Sequence, residues 1–199
     1  GIHILVIFDT VTETAAINAA IGICGVAPGC ANGTTGRPFA EILEKMSAQG
    51  ALVVPAHVNI ANSGLLTGRG GQPLVTKIKH PDLHAIGVTP SQPDGTDQAA
   101  IINGTKPYDR SHPLAVIYAD DVTKPATFGS PGASSWFKVS RLCVDSLKLA
   151  VRTPETRISL ANPAVETRST SLSEAIPAAT RAIATSVPRP IARPRSADA

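Results

Sequence analysis

Apolar residues along the chain gather into short, nearly unbroken runs, set apart by polar stretches rich in Gly, Pro and Asn. Residues 2–8 (IHILVIF), 51–56 (ALVVPA), 83–88 and 114–119 (LAVIYA) are such runs. Each is too short for a helix and dense in β-branched side chains, which predicts strands buried on both faces. Residues 134–139 (SSWFKV) predict a shorter strand, and 157–160 one more. Between the runs the period changes. Thr10 followed by Glu13 has the spacing of a capping box, and Ala15, Ile17, Ala20 and Ile21 supply an apolar helical face behind it. Pro38 opens a second helix, Phe39, Ile42, Leu43 and Met46 form its stripe, and Gly50 ends it. Residues 74–79 predict a helical turn, residues 144–151 a further helix, and residues 22–36, 59–73 and 89–112 loops. Strands alternating with helices predict an α/β fold with mainly parallel strands.

Beyond residue 160 the pattern dissolves into Ala, Ser, Thr, Pro and Arg without a period. The chain therefore divides into a folded domain at 1–160 and a tail at 161–199 whose composition predicts disorder. Five of the arginines lie in that tail, so the net charge of +3 does not mark a nucleic-acid footprint over the whole surface. Aromatic residues make up only 4%, so the core must be built from Ala, Val, Ile and Leu. Cys24, Cys30 and Cys143 form no Cys-x-x-Cys pair, which argues against a zinc knuckle; their odd number suits a reducing cytoplasm. No apolar run approaches the ~20 residues that span a bilayer, and no signal peptide is visible. The expectation is a soluble cytoplasmic protein without membrane partners. The abrupt start in a strand leads one to expect a missing lead-in upstream.

Functional residues of parallel α/β folds gather at the carboxyl ends of strands, where the loops converge. His57 directly follows residues 51–56, and Asp120, with Asp121 beside it, directly follows residues 114–119. His3 lies near the start of the first strand, a less natural position. Imidazoles and carboxylates are the ligands of Zn, Mn or Fe, and such ions lower the pKa of coordinated water and hold a phosphoryl group for in-line attack. Each residue alone has a plainer reading, as a satisfied structural histidine or a turn aspartate. Lys138 beside Trp136, and Arg69 and Arg110 in the two long loops, are weaker candidates for phosphate binding; solvated surface charge is the competing reading. His80 and His84 are four apart, but Pro81 denies them the shared helical face of a metal pair. The run Gly68-Arg69-Gly70-Gly71 is no P-loop, since no Gly-Lys-Ser/Thr follows.

Taken in order, several blocks resemble the PHP (polymerase and histidinol phosphatase) superfamily. Residues 50–58 (GALVVPAHV) are similar to its G-G-hydrophobic-hydrophobic-P-A-H segment, and residues 1–9 (GIHILVIFD) to the strand before it. Ala119-Asp120-Asp121-Val122 and Ser135-Trp136-Phe137-Lys138 resemble its S-D-A-H … T-W-I-K ending, and residues 147–158 its closing helix. The nearest subtype is the PHP domain at the front of large bacterial ATPase proteins of the TrlF type. The resemblance covers residues 1–160 and implies an incomplete or distorted (β/α)7 barrel lacking its N-terminal strands. It also implies metal ligation by His3, His57 and Asp120, with His57 and Asp120 as catalytic residues. The cofactor would be a divalent metal (Zn, Mn or Fe), and the substrate a phosphate mono- or diester, including nucleic acid. An ATPase domain or partner protein would accompany it. Two departures stand out. The family's N-terminal H-x-H pair, its next His and its Glu would all precede Gly1, and its final His ligand is Val122 here; His112, ten residues away, is a candidate substitute that nothing in the sequence singles out. The alternative is therefore a catalytically inactive PHP remnant acting as a structural or binding module, or a fragment that folds poorly alone.

Overall fold

The computed structural model describes residues 1–27, 33–67, 70–119 and 134–160. Contacts divide the chain into Gly1–Pro163 and Ala164–Ala199, and the described residues all fall in the first unit. The tail at 161–199 lies outside the described residues.

Strands β1 (Ile4–Ile7), β2 (Leu52–Pro55), β3 (Ala85–Val88) and β4 (Ala115–Tyr118) form within the four apolar runs. Helix α1 (Thr14–Ile23) leads to α2 (Phe39–Ala48), which buries the expected stripe of Phe39, Ile42, Leu43 and Met46 and stops before Gly50 at φ +80°. Helix α3 (Gln72–Ile78) follows β2, and α4 (Gln98–Ile102) lies between β3 and β4. Strand β5 (Trp136–Phe137), α5 (Val144–Arg152), α6 (Pro154–Arg157) and β6 (Ile158–Ser159) complete the order.

Several details differ from expectation. The Thr10–Glu13 capping box does not form: α1 begins after Glu13 without a side-chain cap. Asp9 takes up a capping role elsewhere, its Oδ2 accepting from the N–H of Val144 at 3.1 Å at the start of α5. The bond from Val144 first, and then that from the Val11 N–H, hold the Asp9 carboxyl below its ordinary value. The loop at 89–112 contains α4, whose five residues are too few to show a period. Strand β1 is only half buried, with Leu5 43% exposed, because among the described residues it pairs on one side alone.

The strands form three pairs, β1 with β2, β3 with β4 and β5 with β6. Only β3–β4 is parallel among them, against the expectation of mainly parallel strands. Between β1 and β2 the chain passes through two helices rather than one. An even number of helices returns it to the sheet edge it left, so β2 runs back along β1, with Ile4 opposite Pro55 and Ile7 opposite Leu52. Between the pairs, Val58 N–H donates to the Gly87 carbonyl at 2.8 Å. A Cβ on Gly87 would lie 2.4 Å from that of Ala119 and 3.3 Å from the Pro55 carbonyl oxygen, so only glycine lets the ends of β2, β3 and β4 approach this closely.

The four strands carry apolar side chains on both faces. Val53, Ile86 and Val88 join one core with Leu43 and Met46 of α2, Leu74 and Ile78 of α3 and Ile101 of α4. Leu52, Val54, Ala85, Ala115 and Ile117 join a second core with Val144 and Val151 of α5. Alternation along a strand sends successive side chains to opposite faces, so helices on both sides bury all four residues of β2 and of β3. A fully buried Val, Leu or Ile contributes about 1.5–3 kcal/mol.

Candidate functional site

The antiparallel register settles the position of His3. It precedes the first residue of β1, and the Ala56 N–H donates to the His3 carbonyl at 2.9 Å, extending the ladder by one step. The start of β1 and the end of β2 therefore share one edge, and His57 lies there too. The imidazole nitrogens His3 Nδ1 and His57 Nε2 are 2.8 Å apart, with ring centroids 4.6 Å apart and planes inclined by 76°. His57 is buried, 3% exposed, whereas His3 is open to solvent. One nitrogen of the pair donates and the other accepts, according to tautomer.

His57 holds a strained backbone at φ +36°, a conformation that costs a non-glycine residue about 1–2 kcal/mol. Its neighbours impose it: Ala56 N–H is tied to His3 and Val58 N–H to Gly87, while the His57 carbonyl accepts from Ile60 at 3.0 Å. The loop beyond is packed. Leu66 N–H donates to the Val58 carbonyl, Leu65 and Leu66 are buried, and a Cβ on Gly64 would lie 2.1 Å from the Val58 carbonyl oxygen. The other ring nitrogen, His57 Nδ1, is buried with no hydrogen-bond partner among the described residues. His57 is thus buried in a strained turn, with one nitrogen facing a second imidazole and the other without a partner among the described residues.

Two residues that sequence reasoning missed join this edge together. Asn59, 5% exposed, accepts from the Thr89 N–H at 2.8 Å and donates to the Thr89 carbonyl at 2.9 Å and to those of Gln92 and Pro93 at 3.3 Å. The Thr89 hydroxyl donates to the Ala119 carbonyl at 3.3 Å. The loops leaving β2 and β3 and the end of β4 are thus bonded through polar side chains. The available signal was a polar residue directly after each apolar run, but turn formers show the same pattern.

The remaining candidates fall elsewhere. Asp120, Asp121, Val122 and Arg69 lie outside the described residues, as does Cys30. Lys138 is exposed beyond β5, and its side chain makes no hydrogen bond or ion pair among the described residues. Arg110 lies near the amino ends of β3 and β4. Its Nη1 donates to the carbonyls of Ile78 and His80 and its Nη2 to that of Leu83, while Nε is buried without a partner among the described residues. This guanidinium closes the C-terminal end of α3 and does not present a free fork to a ligand. His112 precedes β4, whereas Ala119 at the other end of that strand reaches the edge of His57, so β4 separates His112 from the histidine pair. His80 lies 3.5 Å from Glu44 and accepts from the Asp82 N–H, apart from His84, which lines the cleft beside Arg110. Among the described residues no group of three or more His, Cys, Asp or Glu is placed to hold a metal ion. No described helix is long and apolar enough to cross a membrane.

No protein-family model, no curated protein and no solved structure matches the chain.

Proposed function

We propose that residues 1–160 are the C-terminal part of a PHP-like, metal-dependent phosphoesterase domain. In it His3 and His57 ligate a divalent Zn, Mn or Fe ion, and Asp120 completes the set. The observation that carries this reading is the pairing of His3 and His57. They stand 54 positions apart in sequence, yet their nitrogens face each other at 2.8 Å at one sheet edge. The donors suit the ion. Two nitrogens bound at 2.0–2.1 Å to one tetrahedral ion sit about 3.3 Å apart, so a separation of half an ångström more would admit it. Ligation through His57 Nε2 fixes the ring proton on Nδ1, the atom that lacks a partner among the described residues.

Such an ion supplies Lewis-acid polarisation of a phosphoryl oxygen and activation of water. The chain's own part is positioning. The ties on Ala56 and Val58 hold the His57 ring, His3 meets it from the solvent side, and Asn59 and Thr89 fix the loops around the edge. The fold in this reading is an incomplete or distorted (β/α)7 barrel, from whose parallel order the antiparallel β1–β2 pair departs. The substrate is a phosphate mono- or diester, and an ATPase domain or partner protein accompanies it in the cytoplasm. A second reading, an inactive remnant kept as a structural or binding module, draws on Val122, which stands where the resembled pattern carries its last histidine and cannot ligate a metal.

Metal analysis of the purified chain after incubation with Zn²⁺ or Mn²⁺ tests the metal site. We expect bound metal that is lost in His57→Ala and in Asp120→Ala, with hydrolysis of an aryl phosphate following the metal. Absence of bound metal would sink the metal site and the phosphoesterase with it. Bound metal without hydrolysis would favour the remnant.

A further inference from the structure

At the opposite edge of the strands lies a cleft of about 670 Å³, lined by Lys79, Asp82, His84, Arg110, His112 and Arg152 among others. Three different parts of the chain supply the cationic groups: Lys79 at the end of α3, Arg110 and His112 before β4, and Arg152 in the last turn of α5. Their charge is poorly balanced. Asp109 neutralises Lys79 at 3.1 Å. No described carboxylate lies within 4 Å of Arg110 or Arg152, and Arg110 is bonded only to neutral carbonyls. With both imidazoles neutral, the lining carries Lys79, Arg110 and Arg152 against Asp82 and Asp109, a surplus of one positive charge; protonating His84 and His112 adds two. The C-terminal end of α5 opposes an anion here, so the surplus is partly offset.

We propose that this cleft is a binding site for a small phosphate-type oxyanion, separate from the histidine pair. The Arg152 fork and the His84 and His112 rings would contact the anion, and Arg110 would supply its charge from the cleft wall. A fork and two imidazoles arriving from three segments can contact different oxygens of a tetrahedral oxyanion. The volume falls within the range of small-molecule sites. The titration of His84 points the same way. Burial lowers its pKa first, and then Arg152 and Arg110 lower it further, with Asp82 opposing and His112 adding to the depression. A bound anion reverses that field, so anion binding and proton uptake by His84 reinforce each other, each by the same factor.

Histidine ring resonances of the full chain, titrated with inorganic phosphate at low ionic strength and about pH 6, near the ordinary histidine midpoint, test the site. We expect saturable shifts at His84 and His112 with His3 and His57 unmoved, and an upward move of the His84 midpoint when phosphate is bound. Arg152→Gln, at an exposed position, should weaken binding about tenfold. A folded Arg152→Gln chain that binds phosphate as tightly as the parent overturns the proposal. So does an equal response to chloride at matched ionic strength, or shifts confined to His3 and His57. The readout needs neither metal nor activity, so its failure leaves the histidine pair untouched.

Discussion

The two edges of the β2–β3–β4 strands are built in opposite ways. At the carboxyl edge two imidazoles face each other, one buried and strained, within neutral polar ties among Asn59, Thr89 and Ala119. At the amino edge the groups are charged and half open, and the most buried cation, Arg110, is engaged by backbone carbonyls. Backbone strain at His57 and the facing imidazoles set the first edge apart, whereas a buried nitrogen without a partner among the described residues occurs at both, as His57 Nδ1 and Arg110 Nε. An unbalanced cation surplus marks the second, but there the same side chain that provides charge also closes α3. At the first edge the imidazoles and the polar ties that hold the loops are different residues, whereas at the second one guanidinium carries both the charge and the closure of α3.

Removing the Arg110 clamp is the sharpest way to break this contrast. Arg110→Met leaves the carbonyls of Ile78, His80 and Leu83 without their charged donor, and hydrogen bonds to charged groups are worth about 1.5–3 kcal/mol each. Part of that is returned because the desolvation of the guanidinium, which lowers its pKa, also disappears. We expect a net loss of about 3 kcal/mol, seen as a lower midpoint in urea unfolding with an unchanged slope. A loss below about 1 kcal/mol would show that the guanidinium does not hold the turn, and that its charge is present for a ligand alone.

A smaller effect should follow at the other edge. Asn59→Ala strands the buried Thr89 N–H and carbonyl and frees the loop at 89–93 from the loop after His57, costing about 2 kcal/mol. The bond from Thr96 N–H to the Leu66 carbonyl at 2.7 Å remains, so the loops should stay associated. The distinguishing measurement is the ring spectrum of His57. A destabilised chain in which the His57 resonances are unmoved would mean that the polar network is structural and does not position the histidine.

Much of the scaffold was legible in the sequence. The α2 stripe of Phe39, Ile42, Leu43 and Met46 is buried as read, because four apolar residues at helical spacing leave one consistent packing. The four apolar runs became strands for a similar reason. Strand direction was not legible: an apolar run has no polarity, and the antiparallel β1–β2 pair follows from two helices fitting between the strands. That pairing turned His3 from an awkward candidate into a neighbour of His57. Asn59 and Thr89 were invisible because a buried tie and an exposed turn use the same residues. Arg110 was recognised as a cation, but nothing local in sequence announces that its partners are carbonyls about thirty residues earlier.

The smallest expected effect lies on the segment that runs between the edges. Tyr108 is buried and donates its hydroxyl to Asp97 Oδ2 at 2.7 Å, tying the chain ahead of Arg110 to the start of α4. That hydrogen bond, aided by burial and the carboxylate charge, pushes the phenol from 10.0 up to about 12. Because the protonated phenol is the form favoured by folding, the stabilisation is fully present below pH 10 and is lost as pH rises towards 12. Tyr108→Phe should therefore cost about 1.5 kcal/mol at neutral pH, the low end for a bond to a charged acceptor, since Asp97 is itself exposed. The gap between the two chains should narrow as pH is raised from 10 in urea titrations at matched ionic strength. No gap at neutral pH would mean that Tyr108 stabilises by ring packing alone, which phenylalanine preserves, leaving Asp97 with no part in joining the two edges.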